Sequence, residues 1–365
     1  MNIAIVGAGL VGRVVALNLL NSGNHKITLF DKDTKEGIHS AGFTAAGMLA
    51  PFAELETAES IIFEYGKRSI ELWQPLLKEI GVYDGFSYKG TIITAHPQDV
   101  SELEHFIGTL KSKIDEAKEI EMLDATQLAQ IEPELAQHNK SFFIRKEGQV
   151  DSQRFIAFST NYFDMREEIT WREFTEVTTI EAKKVHLKES SEEFDWVFDC
   201  RGFGGKEYFS DLRGVRGEVI WVESKEIDIQ RPTRLLHPRY KIYIVPRGNG
   251  CEGIDLEYCK ECKISQTPNS KRYIIGASEI ESEDFSPISV RSSLELLSAL
   301  YTVHPQFGEA RVVNTETNCR PAFRDNLPRI ENKEEGLTRI NGLYRHGYLL
   351  APAIVEKALK EGINA

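Results

Sequence analysis

A chain of 365 residues, 41% hydrophobic and 27% charged, can bury a full core; this suggests two domains or one large one and excludes both a small stapled scaffold and a disordered chain. With 44 Lys and Arg against 56 Asp and Glu, the net charge of −12 disfavours a general nucleic-acid binder or a protein held to anionic membranes, although a local basic pocket stays compatible with it. Cys200, Cys251, Cys259, Cys262 and Cys319 are too few and too clustered for a disulfide framework and fit a reducing compartment.

Asn2 to Val6 (NIAIV) is a short apolar run bounded by Gly7 and predicts a buried parallel strand. From Leu10 to Leu20 the apolar residues have the spacing of a helix packed on a sheet, ending near Ser22-Gly23. Lys26 to Phe30 predicts a second buried strand and closes a β-α-β unit. Gly7, Gly9 and Gly12 interrupt the N-terminal apolar segment before it could act as a signal or a span, so a cytoplasmic protein with no stable membrane insertion is expected. Beyond the Gly/Ala-rich stretch Ser40 to Ala50, helical spacing returns at Ala58 to Ile80 and Asp99 to Lys118, with a strand at Gly90 to Thr94 between them. Strand signals follow at Thr170 to Phe174, Trp196 to Asp199, Glu218 to Val222, Lys241 to Val245 and Tyr273 to Ile275, with a helix at Ser289 to Tyr301. The polar segment Gly248 to Lys271 reads as an enlarged hairpin loop. A last strand-turn-helix signal, Gly342 to Leu359, is most economically placed back in the first domain. The chain is thus α/β at one end and α+β in the middle.

Gly7-Ala8-Gly9-Leu10-Val11-Gly12 fits G-x-G-x-x-G, a weak signal alone. Here it follows a strand, opens a helix whose N-terminal amides can hold a pyrophosphate, and precedes Asp31 at the end of the next strand, where a carboxylate accepts hydrogen bonds from ribose hydroxyls and disfavours the extra phosphate of NADP. A bound dinucleotide is expected, NAD and FAD being equally compatible with the fingerprint. The small-residue run Phe43 to Pro51 suits close approach of backbone amides to a large flat ligand, or simply a tightly packed turn.

The fingerprint, Thr44-Ala45-Ala46-Gly47-Met48-Leu49, Tyr243-Ile-Val-Pro-Arg247, Ile275-Gly-Ala-Ser278, Arg320-Pro321 and Tyr344-Arg345-His346-Gly347 to Ala351-Pro352-Ala353 occur in an order that resembles the FAD-dependent D-amino-acid-oxidase-like flavoenzymes, and among them most the glycine oxidases of thiamine biosynthesis. The blocks are spread over nearly the whole chain. The resemblance implies an α/β plus α+β fold: a Rossmann-type FAD-binding domain made of 1–85, 146–215 and 310–365, and an antiparallel-sheet substrate domain made of 86–145 and 216–309. It implies non-covalent FAD and oxidation of glycine, sarcosine or small D-amino acids to an imine or 2-oxo acid, with oxygen reduced to hydrogen peroxide and the imine supplying the thiazole of thiamine. The partners are then a small amino acid and oxygen, with no nucleic acid; a homo-oligomer is left open. By resemblance, contacts to FAD fall at Gly7, Gly9, Leu10, Val11, Gly12, Asp31, Lys32, Thr44, Ala45, Ala46, Gly47, Met48, Val177 and Gly202, and along Arg345, His346, Gly347, Tyr348 and Leu349.

Hydride loss from a substrate Cα requires a fixed anchor on the carboxylate, and an arginine fork supplies two parallel charge-assisted bonds where lysine offers a point charge. Arg320 is the candidate, its competing reading being a structural pair with Asp325; the resemblance favours the anchor. Tyr243, on a predicted strand, can add its hydroxyl, unless it is a core aromatic or Tyr240 takes that part. Arg345, before the last helix, can favour negative charge on reduced flavin or sit at the surface. No acid/base residue is required if the amine enters neutral, so none is assigned.

Several residues depart from the pattern. Glu279 stands where some relatives carry an apolar pocket residue; it could attract a substrate cation, but it opens the acidic run Glu279 to Asp284 and is expected on a solvated face. Arg201 replaces a small residue of the family's turn beneath FAD and could meet the pyrophosphate or an acidic partner. Cys251, Cys259 and Cys262 offer three thiolates but lack a fourth zinc ligand, so reduced loop thiols and no metal are expected. His346 is expected to pack or hydrogen-bond rather than react. Two other readings accompany the oxidase: a dehydrogenase of the same architecture using a non-oxygen acceptor, and a catalytically inert FAD-binding scaffold.

Overall fold

A computed structural model describes residues 1–83, 85–114, 117–237, 240–247 and 270–363, with the backbone alone described at 117, 240 and 241. The N-terminal run forms the strand Asn2–Val6, buried from its second residue onward, and pairs in parallel with Lys26–Phe30 on one side and Trp196–Asp199 on the other. Ile169–Arg172 and Leu337–Asn341 extend this sheet in parallel, and Arg329–Glu334 closes one edge antiparallel. The helix Leu10–Ser22 covers one face, with Val14, Val15, Ala16, Leu17 and Leu19 buried, and the C-terminal helix Gly347–Glu361 packs beside it in the same core. The last helix therefore packs on the N-terminal sheet, and the strand before it is Leu337–Asn341, ahead of the Gly342 start that the sequence suggested.

A second sheet of nine strands runs from Ile280–Glu281 through Arg213–Ser224, Lys271–Gly276, Tyr240–Pro246, Thr233–His237, Thr91–Ala95 and Lys140–Ile144 to Ile120–Asp124, with Arg311–Ala322 on the free edge of Arg213–Ser224. Among the described strands of this sheet, Thr233–His237 pairs in parallel with Thr91–Ala95 and the other pairings are antiparallel. Helices Val290–Val303 and Val100–Lys113 bury Leu296, Leu300, Leu103 and Phe106 against it. The strands flanking the expected enlarged loop pair antiparallel; the loop itself, residues 248–269, lies outside the described residues.

The sequence underestimates this sheet for a physical reason. Arg311–Ala322 (RVVNTETNCRPA) has no apolar alternation because part of it faces a polar cleft, yet it pairs along nearly all of Arg213–Ser224. Arg213–Ser224 itself crosses the boundary expected at 215/216, and Arg311–Ala322 falls in the 310–365 segment expected of the first domain. We propose instead that 213–215 and 311–322 belong with the substrate domain. The helix expected at Asp99 to Lys118 ends at Lys113, where Ile114 turns extended. The helix Ser152–Asp164, capped by the Asp151 carboxylate accepting from the Arg154 N–H, has no counterpart among the sequence expectations.

The floor of the first unit is fastened by Trp73, from the helix Ser60–Glu79. Its indole N–H donates to the Tyr348 carbonyl at 2.7 Å, its ring stacks on Tyr348 at 5.6 Å and meets Phe155 edge-on at 5.1 Å, and no part of it is exposed. Trp73→Ala is expected to lower unfolding stability by about 3–5 kcal/mol, read from the denaturant midpoint; an unchanged midpoint would contradict this packing.

Candidate functional site

Between the two sheets lies a cleft of about 1710 Å³. Its first wall is the fingerprint. Gly7 adopts φ +96°, and a Cβ there would stand 2.6 Å from the Cys200 carbonyl oxygen. Gly12 is packed, not open: its Cβ would lie 2.0 Å from the Gly7 oxygen, and alone of the expected contact residues it does not line the cleft. Its place is the close packing of helix on strand, which corrects the expected cofactor contact. Gly9, in contrast, caps the helix Leu10–Ser22 without any side-chain hydrogen bond, and a Cβ there would meet only the Ser40 Cβ at 3.6 Å. The helix N-terminus thus opens to the cleft and is shaped to receive an anion. Asp31 accepts from the Ala8 N–H at 2.6 Å and the Asp33 N–H at 2.9 Å, which fixes its carboxylate at the cleft, beside Lys32 and the buried Val177.

The small-residue run forms the floor. Gly47 has φ +63° and no room for a side chain, since a Cβ would stand 1.9 Å from the Val150 oxygen. Met48–Leu49 pairs with Gly148–Val150, and the buried Arg247 donates to the Ala46 carbonyl at 2.5 Å. Thr44, Ala45, Ala46, Gly47 and Met48 all line the cleft, as do Gly202 and Arg345 to Leu349. This is a rigid, side-chain-poor cradle ending in a bare helix N-terminus, the shape that a flat dinucleotide such as FAD requires.

The roof carries the charged groups. Arg320 lies on Arg311–Ala322 opposite Val215, and its guanidinium passes directly over Gly217, where a Cβ would be 2.4 Å from Nη2. Its Nη1 donates to the Ser278 carbonyl at 3.1 Å and the Arg216 carbonyl at 3.4 Å. Among the described residues no carboxylate lies within ion-pair distance of it, and Asp325 instead accepts from the Leu327 N–H and stands 4.0 Å from Arg329. Tyr243 lines the same cleft, its hydroxyl 3.3 Å from where a Gly276 Cβ would stand and without a hydrogen-bond partner among the described residues. Burial raises its pKa against the pull of Arg320, so the phenol stays a neutral donor. The side chain of Tyr240 lies outside the described residues.

Arg345 lines the cleft but is not a free cation. Its Nη2 is 2.9 Å from Glu54 and 2.8 Å from the Thr57 hydroxyl, and its Nη1 donates to Glu279 at 3.0 Å. Glu279 stays exposed, as the acidic run implies, but it also borders the cleft and accepts from the Tyr344 hydroxyl, while Glu281 and Glu283 pair with Arg213 and Lys206. Arg201 forms a two-pronged pair with Asp199, at 3.0 Å on each oxygen, taking the acidic-partner reading. His346 is buried and its Nε2 sits 2.9 Å from Glu54.

Sequence reasoning missed Glu54, Arg234, Asn318 and Gly217. Glu54 joins Arg345, His346 and, at 3.0 Å, Arg234, whose Nε and Nη1 have no partner among the described residues. Asn318 donates to the His39 carbonyl at 3.0 Å and ties the strand Arg311–Ala322 to the first unit. Only the glycine had a readable signal, a G between two charged strand residues, Arg216 and Glu218. Cys200 and Cys319 are buried and free, and Cys251, Cys259 and Cys262 lie outside the described residues. No helix of the described residues is long and apolar enough to cross a membrane.

The model of the family of FAD dependent oxidoreductases matches residues 2–358. Over 357 residues, 97% of this chain and 94% of the relative, the sequence is 37% identical to a Rhizobium etli protein whose assignment as the thiamine biosynthesis oxidoreductase ThiO is itself provisional. Among solved structures the fold matches glycine oxidase from Bacillus cereus with a TM-score of 0.77 at 23% identity, covering 99% of this chain and 94% of that one. Iminodiacetate oxidase from Chelativorans sp. BNC1 matches with a TM-score of 0.77 at 18% identity, covering 98% and 94%.

Burial pushes the Glu54 carboxyl up, but Arg345, His346 and Arg234 overcome it and hold it well below the usual carboxylate range. A depressed carboxyl contributes stability that is present above about pH 4.5, its unfolded value, and is lost as pH falls through the folded value. Glu54→Gln should therefore cost about 3–5 kcal/mol at pH 7, by leaving buried cations unpaired, and should flatten the loss of stability below pH 4.5 in denaturation curves recorded against pH. An acid limb identical to that of the wild type would contradict this.

Proposed function

This chain belongs to the FAD dependent oxidoreductase family, and from that premise we propose that it oxidises glycine or a similarly small amino acid, such as sarcosine or a small D-amino acid, to the imine. Bound FAD supplies a two-electron acceptor for the hydride that leaves the substrate Cα. The protein's residues do the holding. The helix N-terminus at Gly9 and Leu10, Asp31, and the 44–48 cradle would hold the cofactor along the cleft. Arg320 would grip the substrate carboxylate and Tyr243 would add a hydrogen bond, so that Cα is positioned rather than free to rotate.

The observation that carries this reading is a guanidinium set over Gly217, bonded to two carbonyls through one nitrogen and facing no carboxylate among the described residues. A half-buried cation left in that state is a receptor for an anion that comes from outside. The same anchor is an argument against an inert scaffold, which has no use for an unpaired cation in its cleft. The 37% identical relative supports a place in thiamine biosynthesis, where the imine would supply the thiazole ring. Oxygen is proposed as the electron acceptor on the same likeness.

The test uses purified holoenzyme. Glycine, sarcosine or D-alanine should bleach the flavin under nitrogen and release hydrogen peroxide in air. Bleaching without peroxide, together with turnover on an artificial acceptor, would assign the dehydrogenase, and no bleaching by any small amine would overturn the proposal. Arg320→Lys should keep the flavin spectrum and raise KM about 10- to 100-fold through loss of the two-pronged contact. Unchanged steady-state constants would contradict the anchor.

A further inference from the structure

Arg320 and Glu279 present opposite charges to one cleft without pairing. Nη1 of Arg320 donates to the carbonyl of Ser278, the residue before Glu279, so the guanidinium lies one residue from the base of that side chain. Left to itself, a glutamate so placed would fold onto the arginine and fill the anchor. Two contacts on the same carboxylate prevent this: Tyr344 donates its hydroxyl to one oxygen, and Arg345 Nη1 donates to the other at 3.0 Å. Tyr344 is itself held at φ +52°, an uncommon backbone conformation for an aromatic residue, and is buried. Arg345 is fixed from its far side by Glu54 and Thr57. Partial desolvation at the cleft raises the Glu279 carboxyl, but the charged and titratable groups around it, Tyr344, Arg345 and, further off, Arg320, hold it below the usual carboxylate range.

Resting on the amino-acid reading above, we propose that Glu279 is the cation-recognising group of the substrate site: its carboxylate receives the ammonium end of the zwitterion whose carboxylate Arg320 grips. The charges match the ligand. A zwitterion carries its two charges on adjacent groups, and the cleft offers an unpaired cation beside a carboxylate that is anchored away from it. Arg345 and Tyr344 are then positioning residues, because they act by holding Glu279 off Arg320. The same carboxylate also favours the chemistry. The bound ammonium first releases one proton to solvent at the exposed Glu279, which frees the nitrogen lone pair; Cα–H then departs as hydride, that lone pair closes the C=N bond, and the positive charge returns to the substrate as an iminium until it gives up a proton. The arrangement selects against acids that lack the ammonium group and against a second carboxylate.

The test compares glycine with glycolate, an anion of similar size that has no ammonium. Binding of glycolate to oxidised holoenzyme is followed by perturbation of the flavin absorbance, and binding of glycine by the concentration dependence of flavin bleaching under nitrogen. Glu279→Gln keeps a hydrogen-bonding shape and leaves Arg345 paired with Glu54. It should weaken glycine binding about 10-fold or more, while glycolate binds as well as to the wild type or more tightly. Equal weakening of both ligands, or no change in either, would overturn the role of Glu279 while leaving the Arg320 anchor standing. If glycolate fails to perturb the wild-type flavin and no amino acid bleaches it, the amino-acid reading falls and this inference falls with it.

Discussion

An arginine side chain in a half-buried cleft, bonded to backbone and facing no carboxylate among the described residues, is the constraint on which the site depends. Burying a guanidinium costs several kcal/mol unless its donors are met, and here one nitrogen is met by the carbonyls of Ser278 and Arg216. Gly217 is required because any side chain would occupy the place of Nη2. The strand Arg311–Ala322 delivers Arg320 to that point by pairing with Arg213–Ser224. The nine-stranded sheet thus holds this cation in register across the cleft from the cradle on the opposite sheet.

The surrounding charges are arranged around that cation. Arg234 and Arg345 are balanced by Glu54 and Glu279, which leaves Arg320 as a half-buried guanidinium of the cleft without an acidic partner among the described residues, while Arg291 lines the cleft as an exposed one. Glu54 takes both of the other arginines and His346, so the segment Pro51–Glu54, the C-terminal Tyr344–His346 turn and the strand Thr233–His237 are locked to one another at the cleft. Behind Glu54 sits Glu147, fully buried, accepting from the Ala53 N–H at 2.8 Å, with burial pushing its carboxyl up to about 7. A wall built this way is stiff: each ion holds two segments, and none is free to swing over and neutralise the anchor.

The first unit was legible because its signals are local. Asn2–Val6, Leu10–Ser22 and Lys26–Phe30 follow from short-range patterning, and a glycine fingerprint followed by Asp31 follows from what a pyrophosphate and a ribose require. The order of the later blocks added the flavin and pointed to Arg320 as the proposed anchor. The strand Arg311–Ala322 escaped because the cleft supplies a polar surface where a period-2 reading expects an apolar one. Glu54 and Arg234 escaped because, 180 residues apart in sequence, they become a pair only after folding. The acidic run Glu279 to Asp284 is a solvated face, as its pattern implies, but the partners of Glu279, Tyr344 and Arg345, lie far off in sequence and meet it only after folding. Gly12 shows the reverse: a motif position whose missing side chain is required by backbone packing against Gly7.

The central claim concerns where an incoming carboxylate settles. A crystal structure of the holoenzyme with glycolate tests it most directly. The account predicts the glycolate carboxylate within hydrogen-bonding distance of the Arg320 guanidinium and the Tyr243 hydroxyl, with Glu279 still bound to Arg345. A carboxylate seated elsewhere in the cleft, or Glu279 turned onto Arg320, would contradict it.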